Sequence, residues 1–271
     1  MYIRPKKSLG QHFLKDLGIA GRIAGTLSAY RGFPVLEVGP GTGVLTRFLL
    51  DEGHDLSVVE IDGESVGRLE QQFPQLDGRI YREDFLQMNL GGLYDTGFCI
   101  IGNYPYYISS QIFFKVLDNR DRVVCCSGMI QKEVAERLAA APGSRNFGIL
   151  SALVQPWYDV EYLFTVGQEV FDPPPKVKSA VIRMTRNSRM ELGCDEALYK
   201  TVVKTSFNQR RKTLRNSMRP LLGKDCPSYE LPLFDKRPEQ LSIEQFIELT
   251  LITTGCLSDG ETKFSFFSEK T

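Results

Sequence analysis

Five short apolar or β-branched runs, at residues 35–38, 56–61, 79–82, 98–101 and 123–130, constrain this chain most. Segments with helical periodicity, at 43–51, 63–73, 109–117 and 131–140, alternate with them. A strand that returns through a helix can only pair in parallel with its predecessor, so the alternation predicts an α/β domain on a parallel sheet. Two more runs, 160–166 and 180–185, follow with a Pro-rich link and no clear helix between them. They are expected to form an antiparallel hairpin that completes a seven-stranded sheet. Past Thr185 the pattern changes. A polar break at 186–189 precedes helical segments at 196–207, 209–221 and 243–253, with no further strands. The expected organisation is an α/β domain over 1–187, a small all-helical domain over 188–257, and a polar tail over 258–271.

The chain has 271 residues, 42% of them hydrophobic and 24% charged, enough for one sizeable core and a smaller second domain. No apolar run approaches the roughly 18 residues that span a bilayer. The first eight residues carry no apolar signal core. The six cysteines lack C-x-x-C spacing, and Cys125 and Cys126 sit inside an apolar run. Reduced, buried thiols in a cytoplasmic protein are expected, with no membrane contact. With only His12 and His54 as histidines, a zinc cluster or a Ser-His-Asp triad has little to draw on, and no metal is expected.

The formal net charge is zero, but the cations are clustered. Lys200, Lys204, Arg210, Arg211, Lys212, Arg215, Arg219 and Lys224 follow one another with no Asp or Glu between them. Arg4, Lys6, Lys7 and Lys15 make the amino terminus basic as well. A solvated helix normally mixes signs, whereas a one-sign block repels itself unless a polyanion meets it. The block points to nucleic-acid phosphates.

Val35–Val38 runs into Gly39-Pro40-Gly41-Thr42-Gly43, a glycine-rich turn before a helix. Such a turn either approaches a ligand closely or simply makes a tight strand–helix corner. Its G-x-G-x-G spacing is not that of nicotinamide binders. Glu60 ends the second strand about 20 residues on, placed to accept from ribose hydroxyls. Asp62 has the position of a helix cap. Asp84 ends the third strand, where it either caps or accepts from an adenine amino group, and Phe85 can pack on the ring. Acids at neighbouring strand ends suit an adenosyl ligand without pyrophosphate, which S-adenosylmethionine fits.

Asn103-Tyr104-Pro105-Tyr106 follows the apolar run 98–102. The Asn amide oxygen and the Tyr104 carbonyl are acceptors, Pro105 stiffens the turn, and Tyr106 offers a flat face. That set grips the amino group of a planar base while stacking on its ring.

The chain closely resembles the ribosomal RNA adenine N6,N6-dimethyltransferases that modify small-subunit rRNA. The matching segments are KKSLGQHFL at 6–14, LEVGPGTGVLT at 36–46, VVEID at 58–62, EDF at 83–85, GNYPYYISS at 102–110, MIQKEVAERL at 129–138, FDPPPKVKSAV at 171–181 and FNQRRKTLR at 207–215. The resemblance implies a seven-stranded Rossmann-like class I methyltransferase sheet with a helical carboxyl-terminal domain. It also implies S-adenosylmethionine contacts at His12, Leu14, Gly39, Glu60, Asp84 and Asn103. The implied reaction is dimethylation of two adjacent adenosines in a hairpin near the 3′ end of the rRNA. The chain departs from common family residues at His12, often Asn, at Thr42, often Leu, and at Tyr104, more commonly Leu or Ile.

The sequence-based mechanism has Asn103 Oδ1 and the Tyr104 carbonyl accept the two N6 hydrogens, with Tyr106 and Phe171 covering the two faces of the base. Lys6, Lys7, Arg210, Arg211, Lys212 and Arg215 are the expected phosphate ligands, and the partner is rRNA in the immature small subunit, met by a monomer. Competing expectations are a large-subunit methyltransferase of the erythromycin-resistance type, a non-catalytic RNA-binding assembly factor, and a DNA adenine methyltransferase.

Overall fold

The computed structural model describes residues 5–6 and 10–258. The chain divides into two compact units. One holds the amino-terminal part through Ala139 together with Trp157–Ser188; the other joins Ala140–Pro156 to the chain from Arg189 onward. The stretch Ala140–Pro156 thus groups with the carboxyl-terminal helices, although it lies between two strands of the sheet in sequence.

The first unit contains nine strands among the described residues. These are β1 (Phe13–Leu14), β2 (Val35–Val38), β3 (Leu56–Val59), β4 (Ile80–Tyr81), β5 (Phe98–Asn103), β6 (Val123–Gln131), β7 (Tyr158–Val166), β8 (Phe171–Asp172) and β9 (Ser179–Arg186). Seven form one sheet in the order β4-β3-β2-β5-β6-β9-β7. Pairing is parallel from β4 to β6, and β9 runs antiparallel to both β6 and β7. The remaining two, β1 and β8, pair with Phe13 opposite Asp172 and Leu14 opposite Phe171. The sequence held no strand signal for that two-residue ladder.

Burial explains the centre of the sheet. Phe98, Cys99, Ile100 and Ile101 of β5 are all fully buried, as expected for a strand covered on both faces. Each large apolar side chain so buried contributes about 1.5–3 kcal/mol. Gly102 of β5 and Gly128 of β6 are paired. A Cβ at Gly102 would lie 2.5 Å from the Val38 carbonyl, and one at Gly128 would lie 2.2 Å from the Gly102 carbonyl and 2.7 Å from the Tyr104 ring. Only glycine at both positions lets the Tyr104 ring settle against the strand ends.

The helices of this unit are α1 (Leu17–Ala24), α2 (Val44–Asp51), α3 (Gly63–Gln72), α4 (Ser109–Asp118) and α5 (Lys132–Leu138). Asp16 caps α1 by accepting from the Ile19 N–H, and the helix buries Ala20, Ile23 and Ala24. This helix is absent from the sequence-based expectation. Asp62 caps α3, as its position suggests.

The second unit contains α6 (Ile149–Val154), α7 (Glu196–Asn208), α8 (Leu214–Ser217), α9 (Arg219–Leu222) and α10 (Ile243–Ser258). The Tyr199 hydroxyl of α7 donates to the Ala152 carbonyl of α6 at 2.9 Å. Rings of Phe147, Phe207 and Phe246 pack with centroid spacings of 6.4 and 5.9 Å. The single helix expected over 209–221 is not formed. Residues 209–213 turn, and two one-turn helices follow. Arg210, Arg211 and Lys212 repel one another, and Pro220 has no N–H to donate to a carbonyl one turn back, so a continuous helix loses on both counts. The tail expected over 258–271 lies outside the described residues from residue 259 onward.

Candidate active site

The carboxyl ends of β2, β3, β4 and β5 open on one cavity of about 220 Å³. Open α/β sheets bind ligands at that edge. The segment Gly10–Leu14 forms a further wall, so the cavity is bounded by the sheet edge and by an amino-terminal strap. Lining it are His12, Leu14, Gly39, Glu60, Asp84, Asn103, Tyr104 and Tyr106, all expected from the sequence.

The glycine loop carries positive φ at Gly39, Gly41 and Gly43. A Cβ at Gly39 would meet no atom within 4 Å, so the loop leaves open space there for a ligand. Glu60 is 5% exposed and accepts from the Gly41 N–H at 3.0 Å and from the Asp62 N–H at 2.9 Å. Burial raises its pKa against those bonds. Each oxygen keeps a second lone pair, suited to a vicinal diol. Asp84 is half-buried and accepts from the Leu86 N–H at 2.9 Å. Phe85 and Ile61 supply apolar surface beside the two acids.

The strap is tied at several points. Asn103 Nδ2 donates to the His12 carbonyl at 3.0 Å. His12 Nδ1 lies 2.8 Å from the Pro173 carbonyl and, facing an acceptor, must carry the proton. The His12 ring stacks on Tyr106 with centroids 5.7 Å apart. Lys6 Nζ lies 2.5 Å from Asp62 and 3.3 Å from Glu64. Those bonds, Asp62 first, raise the Lys6 pKa. Burial works against ionisation of Asp62, yet Lys6, the Glu64 N–H and Ser65 hold its carboxyl below the usual range.

At the end of β5, the Asn103 amide is oriented by its bond to His12. Among the described residues no group donates to Asn103 Oδ1 or to the Tyr104 carbonyl. The Tyr104 side chain is engaged elsewhere: buried, with its hydroxyl donating to the Ser127 carbonyl at 2.7 Å. Tyr106 is half-buried, and its hydroxyl meets Ser179 Oγ at 2.5 Å, which fixes the ring.

Phe171 is not brought to the cavity. It is 1% exposed within the main apolar core, paired through β8 with Leu14. Its ring is committed to packing and does not present a face to the cleft. The cations also divide. Lys6 is held by acids of the first unit. In the second unit Arg210 donates to the Arg145 and Phe147 carbonyls, and Arg215 pairs with Asp235 at 2.7 Å. The side chains of Arg211 and Lys212 are exposed, with no bond to another described residue. Lys7 lies outside the described residues.

Two contributors have no sequence signal. Glu37 lines the cavity, fully buried, and accepts from the Thr46 hydroxyl at 2.6 Å. Burial, opposed by Thr46 and helped by Glu60, lifts its pKa to about 8. An acid inside an apolar strand reads as half-exposed until the helices cover both faces. Lys115 of α4 donates to the Leu86 and Met88 carbonyls at 2.9 and 2.6 Å, bracing the loop that carries Asp84 and Phe85. Its distance in sequence from that loop hides the contact.

A glycine loop, an acid at the next strand end and an antiparallel seventh strand define a class I methyltransferase. A family model described as ribosomal RNA adenine dimethylase matches residues 3–251. The chain is 73% identical over 251 residues to the ribosomal RNA small subunit methyltransferase A of Parabacteroides distasonis, covering 93% of this chain and 94% of the relative. It is 64% identical to the protein of the same name from Bacteroides thetaiotaomicron, over 92% and 93% of the two chains. The crystal structure of a dimethyladenosine transferase from Plasmodium falciparum superposes with a TM-score of 0.74 at 25% identity, covering 90% of this chain and 98% of that one. The 23S rRNA methyltransferase ErmE shares the fold, with a TM-score of 0.66 at 24% identity over 89% and 99%. This chain belongs to the ribosomal RNA adenine dimethylase family and is a methyltransferase enzyme.

Proposed function

We infer that this protein dimethylates N6 of two adjacent adenosines in a hairpin near the 3′ end of small-subunit rRNA, with S-adenosylmethionine as methyl donor. It acts as a cytoplasmic monomer on the immature small ribosomal subunit. When bound, S-adenosylmethionine supplies a methyl group on a sulfonium, already a strong electrophile. Glu60 holds the ribose diol, Asp84 the adenine amino group, and the Gly39 turn with His12 and Leu14 completes the cradle.

The nucleophile is the difficult partner, because the adenine N6 lone pair is delocalised into the ring. Asn103 Oδ1 and the Tyr104 carbonyl accept the two N6 hydrogens and pyramidalise the nitrogen, aiming its lone pair into the cavity. Groups fixed beforehand in this way lower a barrier by several kcal/mol. Tyr106, held by Ser179, stacks on one face of the base for about 1–3 kcal/mol. In the second transfer one N6 hydrogen is left, so one acceptor is released. Arg211 and Lys212, with Lys200 and Lys204 exposed on α7, hold rRNA phosphates.

The observation that carries this reading is the Asn103 amide, fixed through Nδ2 and left with its oxygen open beside the open Tyr104 carbonyl. Incubation of unmethylated small subunits and large subunits with protein and labelled methyl donor, followed by mass spectrometry of each rRNA, tests it. Label in N6,N6-dimethyladenosine of the small-subunit rRNA is expected. Label confined to large-subunit rRNA identifies the erythromycin-resistance type instead, and no label despite intact donor binding identifies an assembly factor.

A further inference from the structure

The second unit brings two cysteines together that are 30 residues apart in sequence. Cys226 precedes the 3-10 turn Pro227–Glu230, and Cys256 lies in the last turn of α10. Their sulfurs are 3.2 Å apart, and the Ser228 hydroxyl lies 3.0 Å from Cys256 Sγ. Neither sulfur is in a disulfide. The methyl-transfer chemistry proposed above uses neither.

We propose that Cys226 and Cys256 form a reversible, oxidant-dependent disulfide, with peroxides as the class of oxidant that drives it. A disulfide needs an S–S distance of about 2.05 Å, so the sulfurs must close by roughly 1 Å, within reach of small side-chain rotations. Cys256 is half-buried and Cys226 is 8% exposed, so Cys256 is the more exposed residue of the pair and the first to meet oxidant in this proposal. The Ser228 hydroxyl lies against that sulfur, and the thiolate is the form that reacts with peroxide.

The chemistry balances in two steps. The Cys256 thiolate attacks one oxygen of hydrogen peroxide, breaking the O–O bond and leaving a sulfenic acid and, after protonation, water. The Cys226 thiolate then attacks the sulfenic sulfur and displaces hydroxide, which is protonated to a second water. The thiols lose two electrons and two protons in total, and peroxide is reduced to two waters. The product ties the end of α10 to the turn that follows the basic segment, closing a covalent loop between residues that already touch through their side chains.

The other neighbouring thiols do not share this exposure. Cys99 and Cys125 are paired in register across β5 and β6 and are fully buried, as is Cys126. Water-borne oxidant has no path to them in the folded protein.

The test is intact-protein mass spectrometry of the full chain after mild hydrogen peroxide treatment, with thiol titration and peptide mapping. The expected product is 2 Da lighter, has four titratable thiols where the untreated, unfolded chain has six, and yields one linked peptide pair containing Cys226 and Cys256. Dithiothreitol restores the starting mass, and Cys256→Ser does not form the linked pair. Oxygen addition to single cysteines without a 2 Da loss, or a linked pair involving other cysteines, overturns the proposal. So does a linked Cys226 peptide in Cys256→Ser.

Discussion

Asn103 Nδ2 donates to the main-chain carbonyl of His12 at 3.0 Å. One hydrogen bond thus joins the end of β5, where the proposed reaction grips the substrate nitrogen, to the strap that walls the cavity. The same bond turns Oδ1 toward open space. Asn103→Ala removes both the acceptor and the tie. Transfer is expected to fall by about 10²–10³-fold, the usual loss for one fixed polar group at a reacting centre. Donor binding, followed by calorimetry, weakens but stays measurable. Full methyl incorporation by the variant would refute the role of Asn103.

Lys6 is a strap latch, and its charge is satisfied by Asp62 and Glu64. Lys6→Ala is expected to weaken donor binding a few-fold and to leave the salt dependence of rRNA binding untouched. Arg211→Ala/Lys212→Ala behaves in the opposite way, leaving donor binding intact. The slope of log affinity against log salt drops by roughly 0.7–0.9 for each cation lost. Equal salt slopes in the two variants would remove the distinction.

Lys115 donates to two carbonyls of the loop that carries Asp84 and Phe85, and burial lowers its pKa. Lys115→Met keeps the stem and removes the donors. Donor affinity is expected to drop by about tenfold, in line with two lost charge-assisted bonds in a braced loop. kcat at saturating donor stays near the original value. A fall in kcat with an unchanged dissociation constant contradicts the bracing role.

The Glu37 carboxyl is raised from 4.5 to about 8 chiefly by burial. The folded protein therefore holds a proton that the unfolded chain releases between those values. The contribution is fully present below about 4.5 and is lost as pH rises toward about 8. Glu60 is shifted in the same direction, again by burial. Glu37→Gln keeps the acceptor for Thr46 and removes the titration. The decline in urea-unfolding free energy from pH 5 to pH 8 is expected to flatten by up to about 1.4 kcal/mol per pH unit. An identical slope in both proteins would mean that Glu37 is ionised in the fold.

Phe171 separates packing from stacking. Phe171→Ala opens a cavity in the main core and is expected to cost about 3–5 kcal/mol of stability in denaturant unfolding. Phe171→Leu keeps most of the volume, and its kcat stays within a few-fold of the original. A Phe171→Leu variant of normal stability with abolished transfer would return the ring to the base-binding role.

Much of this protein is written in local pattern. The runs at Val35–Val38 and 98–101 alternate with helical periods, so the parallel sheet follows from chain connectivity. Glu60 and Asp84 follow their strands, and once the sheet forms they share its carboxyl edge. Asn103 and Tyr106 are carried by a turn rigid enough to be read as a unit. Contacts between distant segments left no such trace. A two-residue ladder such as Phe13–Leu14 with Phe171–Asp172 has no period, and it is this pairing that buries Phe171. The charges of Lys6, Arg210 and Arg215 look alike along the chain, but acids and carbonyls brought near by folding satisfy these three and leave Arg211 and Lys212 open. Hydrophobic spacing is enough to set the strands of the large sheet and the helices between them, but not α1, the β1–β8 ladder or the break after Asn208. Which polar groups end up paired depends on three-dimensional neighbours, because an ion pair or a buried hydrogen bond acts over a few ångströms and is blind to separation along the chain.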